Sequence, residues 1–130
     1  MDAFRTHGAP SWAELTTTDP QAAAAFYGDL FGWKIQSMDM EGGEYRVIKV
    51  AGAALAGIMN MPPGAPTMPP IWGVYVTVDN VDESVQRVTA LGGKVMVPPT
   101  DVAGVGRFAL IADPQGAMLS LITYGAQTGD

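Results

Sequence analysis

The chain carries the same pattern twice, and no other feature restricts its folding as strongly. Its first half runs SWAELTT, DPQAAAAFYGDLFGW, YRVIKVAG and AALAGIMNM, and its second runs WGVYVTV, DNVDESVQRVTALGGK, GRFALIAD and AMLSLIT. Each half reads as a strand, a helix and then further strands. Asp19 is a good N-cap, with Pro20 at the first helical position, where its missing N–H costs nothing. Ala22, Ala23, Phe26, Tyr27 and Leu30 are expected on one stripe facing the core, and Gly32 stops the helix. In the second half Asn80 caps, Asp82 and Glu83 suit the positive end of the helix dipole, and Val81, Val85, Val88 and Leu91 recur at spacings of three and four before Gly92 and Gly93.

Strands bracket both helices. Val74, Val76 and Val78 alternate with Gly73, Tyr75 and Thr77, and Ala13 and Leu15 alternate with Trp12, Glu14 and Thr16, the period of a half-buried strand. Lys34–Met38, Tyr45–Val50, Ala53–Met59, Lys94–Val97, Arg107–Ala112 and Met118–Tyr124 complete a set of eight, with a tight turn at Asp113–Gly116. The register of the repeat decides which side chains face a pocket. An offset of 60 aligns Trp12 with Trp72, whereas 61 aligns Leu15 with Val76 and Gly32 with Gly93. The second places both apolar strand faces beneath the helices, and a slip of one residue would reverse every side chain. The opposite face then carries Trp12, Glu14 and Thr16 from one half and Gly73, Tyr75 and Thr77 from the other. Between the halves, Met61–Pro70 holds five prolines in ten residues and reads as a stiff spacer. The alternative is a flap lined by Met59, Met61 and Met68.

At 130 residues and 13.6 kDa the chain is expected to form one domain, with the first unit at about 10–61 and the second at about 71–124. An apolar fraction of 48% against 15% charged excludes wholesale disorder. No cysteine is present, which removes disulfides, thiolate nucleophiles and cysteine metal sites, and one histidine, His7, cannot build a His-rich cage. A net charge of −6 with scattered Lys and Arg argues against nucleic-acid partners. The opening MDAFRTHGAPSW has no apolar core of a secretory leader, and no apolar stretch reaches the roughly 20 residues a membrane span needs. A cytoplasmic protein with no membrane partner is therefore expected.

The segments TTTDPQAAAAFYGDLFGW, GGKV and GRFALIADPQGAMLSLI, in that order, resemble the vicinal oxygen chelate superfamily, also called the glyoxalase/bleomycin-resistance/dioxygenase family. The likeness covers nearly the whole chain. It implies an α+β fold of two tandem βαβββ units whose curved, mixed eight-stranded sheet surrounds a cleft with the helices outside. It also implies a homodimer and a small-molecule ligand. Enzymes of the superfamily hold a divalent metal with side chains from the first and fourth strands of each unit. Carried onto this chain, those positions fall on Trp12, Gly57, Gly73 and Ser120. Apart from rare serine coordination, none of these side chains is a divalent-metal ligand, so no metal and no other cofactor is expected.

On the face assigned to the cleft, Glu14 is a candidate general base, because partial desolvation of a carboxylate raises its pKa. The plainer alternatives are a solvated Glu or one tied to a neighbouring Tyr. Its repeat-mate Tyr75 is a candidate acid or orienting group, or simply a core tyrosine. Trp12 and Trp72 are candidates for an aromatic wall, with Thr16 and Ser120 beside the ligand. Arg107 follows Gly104 and Gly106 and is a candidate anion anchor, or a surface partner of Asp101. His7 is expected on a mobile, solvent-exposed arm; a metalloenzyme would need ligands at non-family positions such as Glu14 with His7. The favoured function is metal-free binding of an aromatic or apolar small molecule. The alternatives are a metal-independent lyase, isomerase or hydrolase using Glu14 and Tyr75, and an interaction module whose cleft its own side chains fill.

Overall fold

Caps and alternation place the elements where the sequence puts them. A computed structural model describes residues 1–40, 43–61 and 69–125. In chain order they form β1 (Pro10–Thr17), α1 (Pro20–Phe31), β2 (Lys34–Met40), β3 (Gly43–Val50), β4 (Ala53–Asn60), β5 (Ile71–Thr77), α2 (Val81–Ala90), β6 (Lys94–Val102), β7 (Gly106–Ala112) and β8 (Met118–Tyr124). The architecture is α+β, with eight strands in mixed pairing and two helices. Residues 62–68 of the expected spacer, Met68 among them, lie outside the described residues.

The helix ends are made by the groups named above. Asp19 accepts the Ala22 N–H at 3.0 Å, Pro20 opens α1, and Gly32 closes it at φ 73°, donating its N–H to the Gly28 carbonyl. That positive φ is one a glycine adopts without strain. Asn80 accepts the Glu83 N–H at 3.0 Å, and Asp82 and Glu83 fill the first turn of α2.

The chain packs as two units, Trp12–Gly73 (the first) and Met1–Ser11 with everything from Val74 onward (the second). In the first unit the strand order is β2-β3-β4-β1, with β1 parallel to β4 and the other pairs antiparallel. Leu15, Ile48, Ala56 and Ile58 form its buried core, with Ala13, Ala23, Ala24, Tyr27, Trp33 and Ile35 against it. Burying each large aliphatic side chain contributes about 1.5–3 kcal/mol. The expected stripe on α1 is corrected by the structure. Ala23, Ala24 and Tyr27 pack inward, whereas Phe26 and Leu30 remain 62% and 59% exposed. At 100° per residue these two fall on the flank of a helix that is apolar around most of its circumference, so periodicity alone could not choose its inner side.

In the second unit the order is β5-β8-β7-β6, again with one parallel pair, β5 with β8. Val78, Val81, Ala109 and Leu121 are its buried core, and Val85, Val88, Ile111 and Leu119 complete it. Strand β6 runs five residues past its expected end, through Pro98 and Pro99, with breaks of register on both sides of Val97. It lies at the end of the order, where a strand tolerates prolines because one side needs no hydrogen bonds. The N-terminal arm is pinned to this unit rather than loose. Gly8 N–H donates to the Thr77 carbonyl at 2.7 Å, Thr77 N–H to the Ala9 carbonyl at 2.8 Å, and the Phe4 ring meets Tyr124 edge-on at 4.9 Å.

Candidate functional site

Strand pairing in the first unit fixes what its outer sheet face presents. Along parallel β1 and β4, Ala13 and Leu15 stand beside Ala56 and Ile58 on the core side, so Glu14 and Thr16 stand beside Gly57 and Met59 on the other. Gly57 in turn pairs with Val47, and Met59 with Tyr45. Trp12, two residues before Glu14, shares that face.

Gly57 is the position that shapes the site. A Cβ built there would fall on the Tyr45 hydroxyl and lie 2.6 Å from Tyr45 Cε1, so the tyrosine ring occupies the space a side chain would need. Through that gap the phenol reaches β1. Tyr45 Oη donates to Glu14 Oε2 at 2.7 Å and accepts the indole N–H of Trp12 at 2.9 Å, and all three side chains are half-buried. An indole nitrogen can only donate, so the chain runs one way, Trp12 to Tyr45 to Glu14. The phenol's single proton points at the carboxylate. Glu14 is thus tied to Tyr45, a residue that sequence reasoning overlooked. The one available signal was a glycine inside the apolar strand AALAGIMN, since a glycine within a strand often marks the close approach of another group.

In the second unit Tyr75 stands beside Ser120 across parallel β5 and β8, and Ser120 pairs with Leu110. The Tyr75 ring lies 6.4 Å from that of Phe108. On the same unit Ser11 Oγ shares a 2.7 Å hydrogen bond with the Tyr124 hydroxyl and accepts from Thr77 Oγ1 at 2.8 Å.

Other candidate residues have partners away from these faces. Trp72 donates its indole N–H to the Tyr27 hydroxyl at 3.2 Å and meets the rings of Tyr27 and Trp33 edge-on, so it joins the aromatic cluster of α1 while Trp12 bonds to Tyr45. Arg107 alternates with Ala109 and Ile111 and therefore lies on the α2 side of its sheet. Its guanidinium forks onto Asp82 at 2.9 and 3.0 Å and reaches Asp101 at 3.0 Å. The hydrogen bond from Arg107 holds the Asp82 carboxyl below its ordinary 3.8, and hydrogen bonds to Asp82 and then Asp101 raise the guanidinium above its already high value. His7 is exposed, and its Nδ1 accepts the Asp79 N–H at 2.9 Å.

The donor set does not fit a divalent ion at the superfamily's positions. In the first unit those positions hold an indole already bonded to Tyr45, and a glycine whose side-chain space the same tyrosine fills. In the second unit β8 offers only Ser120. Among the described residues no three His, Cys, Asp or Glu side chains gather where an ion could be held.

Comparison with known proteins places this geometry. Over 117 residues the chain is 46% identical to a protein of Mycobacterium tuberculosis provisionally named glyoxylase CFP32, covering 88% of this chain and 45% of that one. It is 35% identical over 135 residues to the anthracycline biosynthesis protein DnrV of Streptomyces peucetius, covering 94% and 49% respectively. The chain therefore spans about half the length of these curated relatives. The crystal structure of methylmalonyl-CoA epimerase from Mycobacterium tuberculosis superposes with a TM-score of 0.67 at 16% identity, covering 96% of this chain and 94% of the other, a likeness of fold. Residues 9–121 match the family model, and the chain belongs to the Glyoxalase/Bleomycin resistance protein/Dioxygenase superfamily.

Proposed function

We propose that this protein binds a planar, hydroxylated aromatic small molecule against Glu14 and works without a resident divalent ion. The observation that carries this reading is the Trp12–Tyr45–Glu14 chain of hydrogen bonds standing where the superfamily's first-unit ligands would stand. It sets a half-buried carboxylate, a group whose oxygens accept several hydrogen bonds and which suits a phenolic or enolic O–H, close to an indole ring. The resemblance to an anthracycline biosynthesis protein over 94% of the chain supports the ligand class. Thr16, on the same face, supplies a hydroxyl. A homodimer in the cytoplasm belongs to the same reading, on the strength of the family likeness.

A second reading, a metal-independent lyase or isomerase, has one observation in its favour. A carboxylate that accepts a hydrogen bond from a fixed donor is oriented for abstracting a proton, with Glu14 as base.

The test is calorimetric titration of untagged protein with 1,8-dihydroxyanthraquinone, paired with elemental analysis. Saturable binding that weakens at least about tenfold in Glu14→Gln, with metals at background, supports the proposal. Stoichiometric zinc, nickel, iron or manganese, or binding indifferent to Glu14→Gln, overturns it. Turnover that Glu14→Gln abolishes while binding persists selects the second reading.

A further inference from the structure

The internal repeat distinguishes what Tyr45 does for the fold from what it does for the site. Strand pairing makes the equivalences direct. Glu14 lies beside Gly57 as Tyr75 lies beside Ser120, and Gly57 pairs with Val47 as Ser120 pairs with Leu110. Two residues before Val47 stands Tyr45, and two before Leu110 stands Phe108. Both units therefore place an aromatic ring at this point of the third strand, and an unsubstituted phenyl ring serves in one of them. The hydroxyl of Tyr45 is an addition to that ring. It coincides with two other features: a glycine at 57 that makes room for it, and a carboxylate at 14 that accepts its hydrogen bond.

From this we infer that Tyr45 is the positioning residue of the site. Its hydroxyl, itself aimed by Trp12, fixes the rotamer of Glu14 and commits Oε2 as an acceptor, and Gly57 is the opening that admits it. The inference rests on the proposed role of Glu14 in binding a hydroxylated aromatic molecule and deepens it. Tyr45 acts through Glu14, so its contribution should vanish when Glu14 can no longer serve as a carboxylate.

A double-mutant cycle with 1,8-dihydroxyanthraquinone as probe tests this. Tyr45→Phe, which keeps the ring that Phe108 shows to be sufficient, should weaken binding about tenfold in the wild-type background and less than about twofold in the Glu14→Gln background. A residue that merely fills space would give the same ratio in both. An equal loss in the two backgrounds, or none in the first, overturns the inference while leaving the proposed function standing; indifference to Glu14→Gln alone removes the proposed function. A second reading needs no ligand. The Glu14 side-chain carboxyl carbon, one of four glutamates in the chain, should move in the carbon spectrum of Tyr45→Phe while that of Glu83 stays in place, and the Trp12 indole N–H should move with it. If neither resonance moves, Tyr45 does not hold Glu14, whatever the probe does.

Discussion

Replacing Gly57 by alanine puts the geometry of the site under direct stress. The new methyl would overlap the Tyr45 hydroxyl and sit 2.6 Å from Cε1, where ordinary contact begins near 3.4 Å. The three nearest atoms all belong to the far end of one side chain, so the ring is expected to swing aside and strand β4 to stay put. What is lost is the pair of hydrogen bonds at 2.9 and 2.7 Å. A neutral bond contributes about 1 kcal/mol net and one to a carboxylate about 1.5–3 kcal/mol. The three side chains are half-buried, so water restores part of both, and a destabilisation of about 2 kcal/mol is expected. For a domain of this size that lowers Tm by about 8 °C, measurable by calorimetry or by urea unfolding with an unchanged m-value. The control is the same substitution in a Tyr45→Ala background. With no phenol to displace, alanine at 57 should be neutral or stabilise by about 0.5 kcal/mol, because glycine is the poorer strand residue. An equal loss in both backgrounds would place the conflict in the backbone and refute the argument.

Three further outcomes follow from the same contacts. Asp19→Ala and Asn80→Ala each remove the acceptor that caps a helix, and each should cost about 1 kcal/mol by urea unfolding. Gly93→Ala drives a methyl to 2.7 Å from the Ala112 carbonyl oxygen, so it should destabilise by about 2 kcal/mol or more, whereas Gly92→Ala meets only Pro114 at 3.8 Å and should cost about 1 kcal/mol for its φ of 94°. Arg107→Met removes the partner that depresses the Asp82 pKa. A depressed carboxylate contributes stability above its ordinary value of 3.8 and loses it as pH falls through its lower folded value. The Tm difference between wild type and Arg107→Met should therefore be present at about pH 6 and gone by about pH 2; a difference that persists in acid would show that the stem of Arg107, rather than its charge, is responsible.

Much of the fold was legible because its signals are local. A cap is a residue and its neighbour three positions on, and Asp19 with Pro20, and Asn80 with Glu83, announce both helices. Alternation placed Leu15 under the helix and Glu14 opposite, as the pairing with Ile58 and Gly57 bears out. Tyr45 could not be found this way. Its role arises where β3, β4 and β1 meet, and it depends on a side chain that position 57 lacks, which no periodicity records. The surface pairing of Arg107 with Asp101 was one of the sequence readings, but its fork onto Asp82 was hidden for a related reason. Strand β7 is apolar on both faces, Phe108 and Leu110 on one and Ala109 and Ile111 on the other, so parity says that Arg107 shares a face with Ala109 without saying which face meets α2.

The same alternation keeps the helix-facing core apart from the face on which the superfamily's ligand positions fall. Residues of one parity, Leu15, Ile48, Ala56 and Ile58 in the first unit and Ala109 and Leu121 in the second, are buried against the helices. Residues of the other parity build the site, and the two sets touch through the backbone alone. Trp12, Gly57 and Ser120 therefore bear on the outer face and leave the helix-facing core as it is. What they decide is which group fills the space over that face. At Gly57 the group is a phenol that brings its own donor to a carboxylate. Membership of the superfamily thus predicts the helix side of each sheet, and the chemistry has to be read residue by residue from the other.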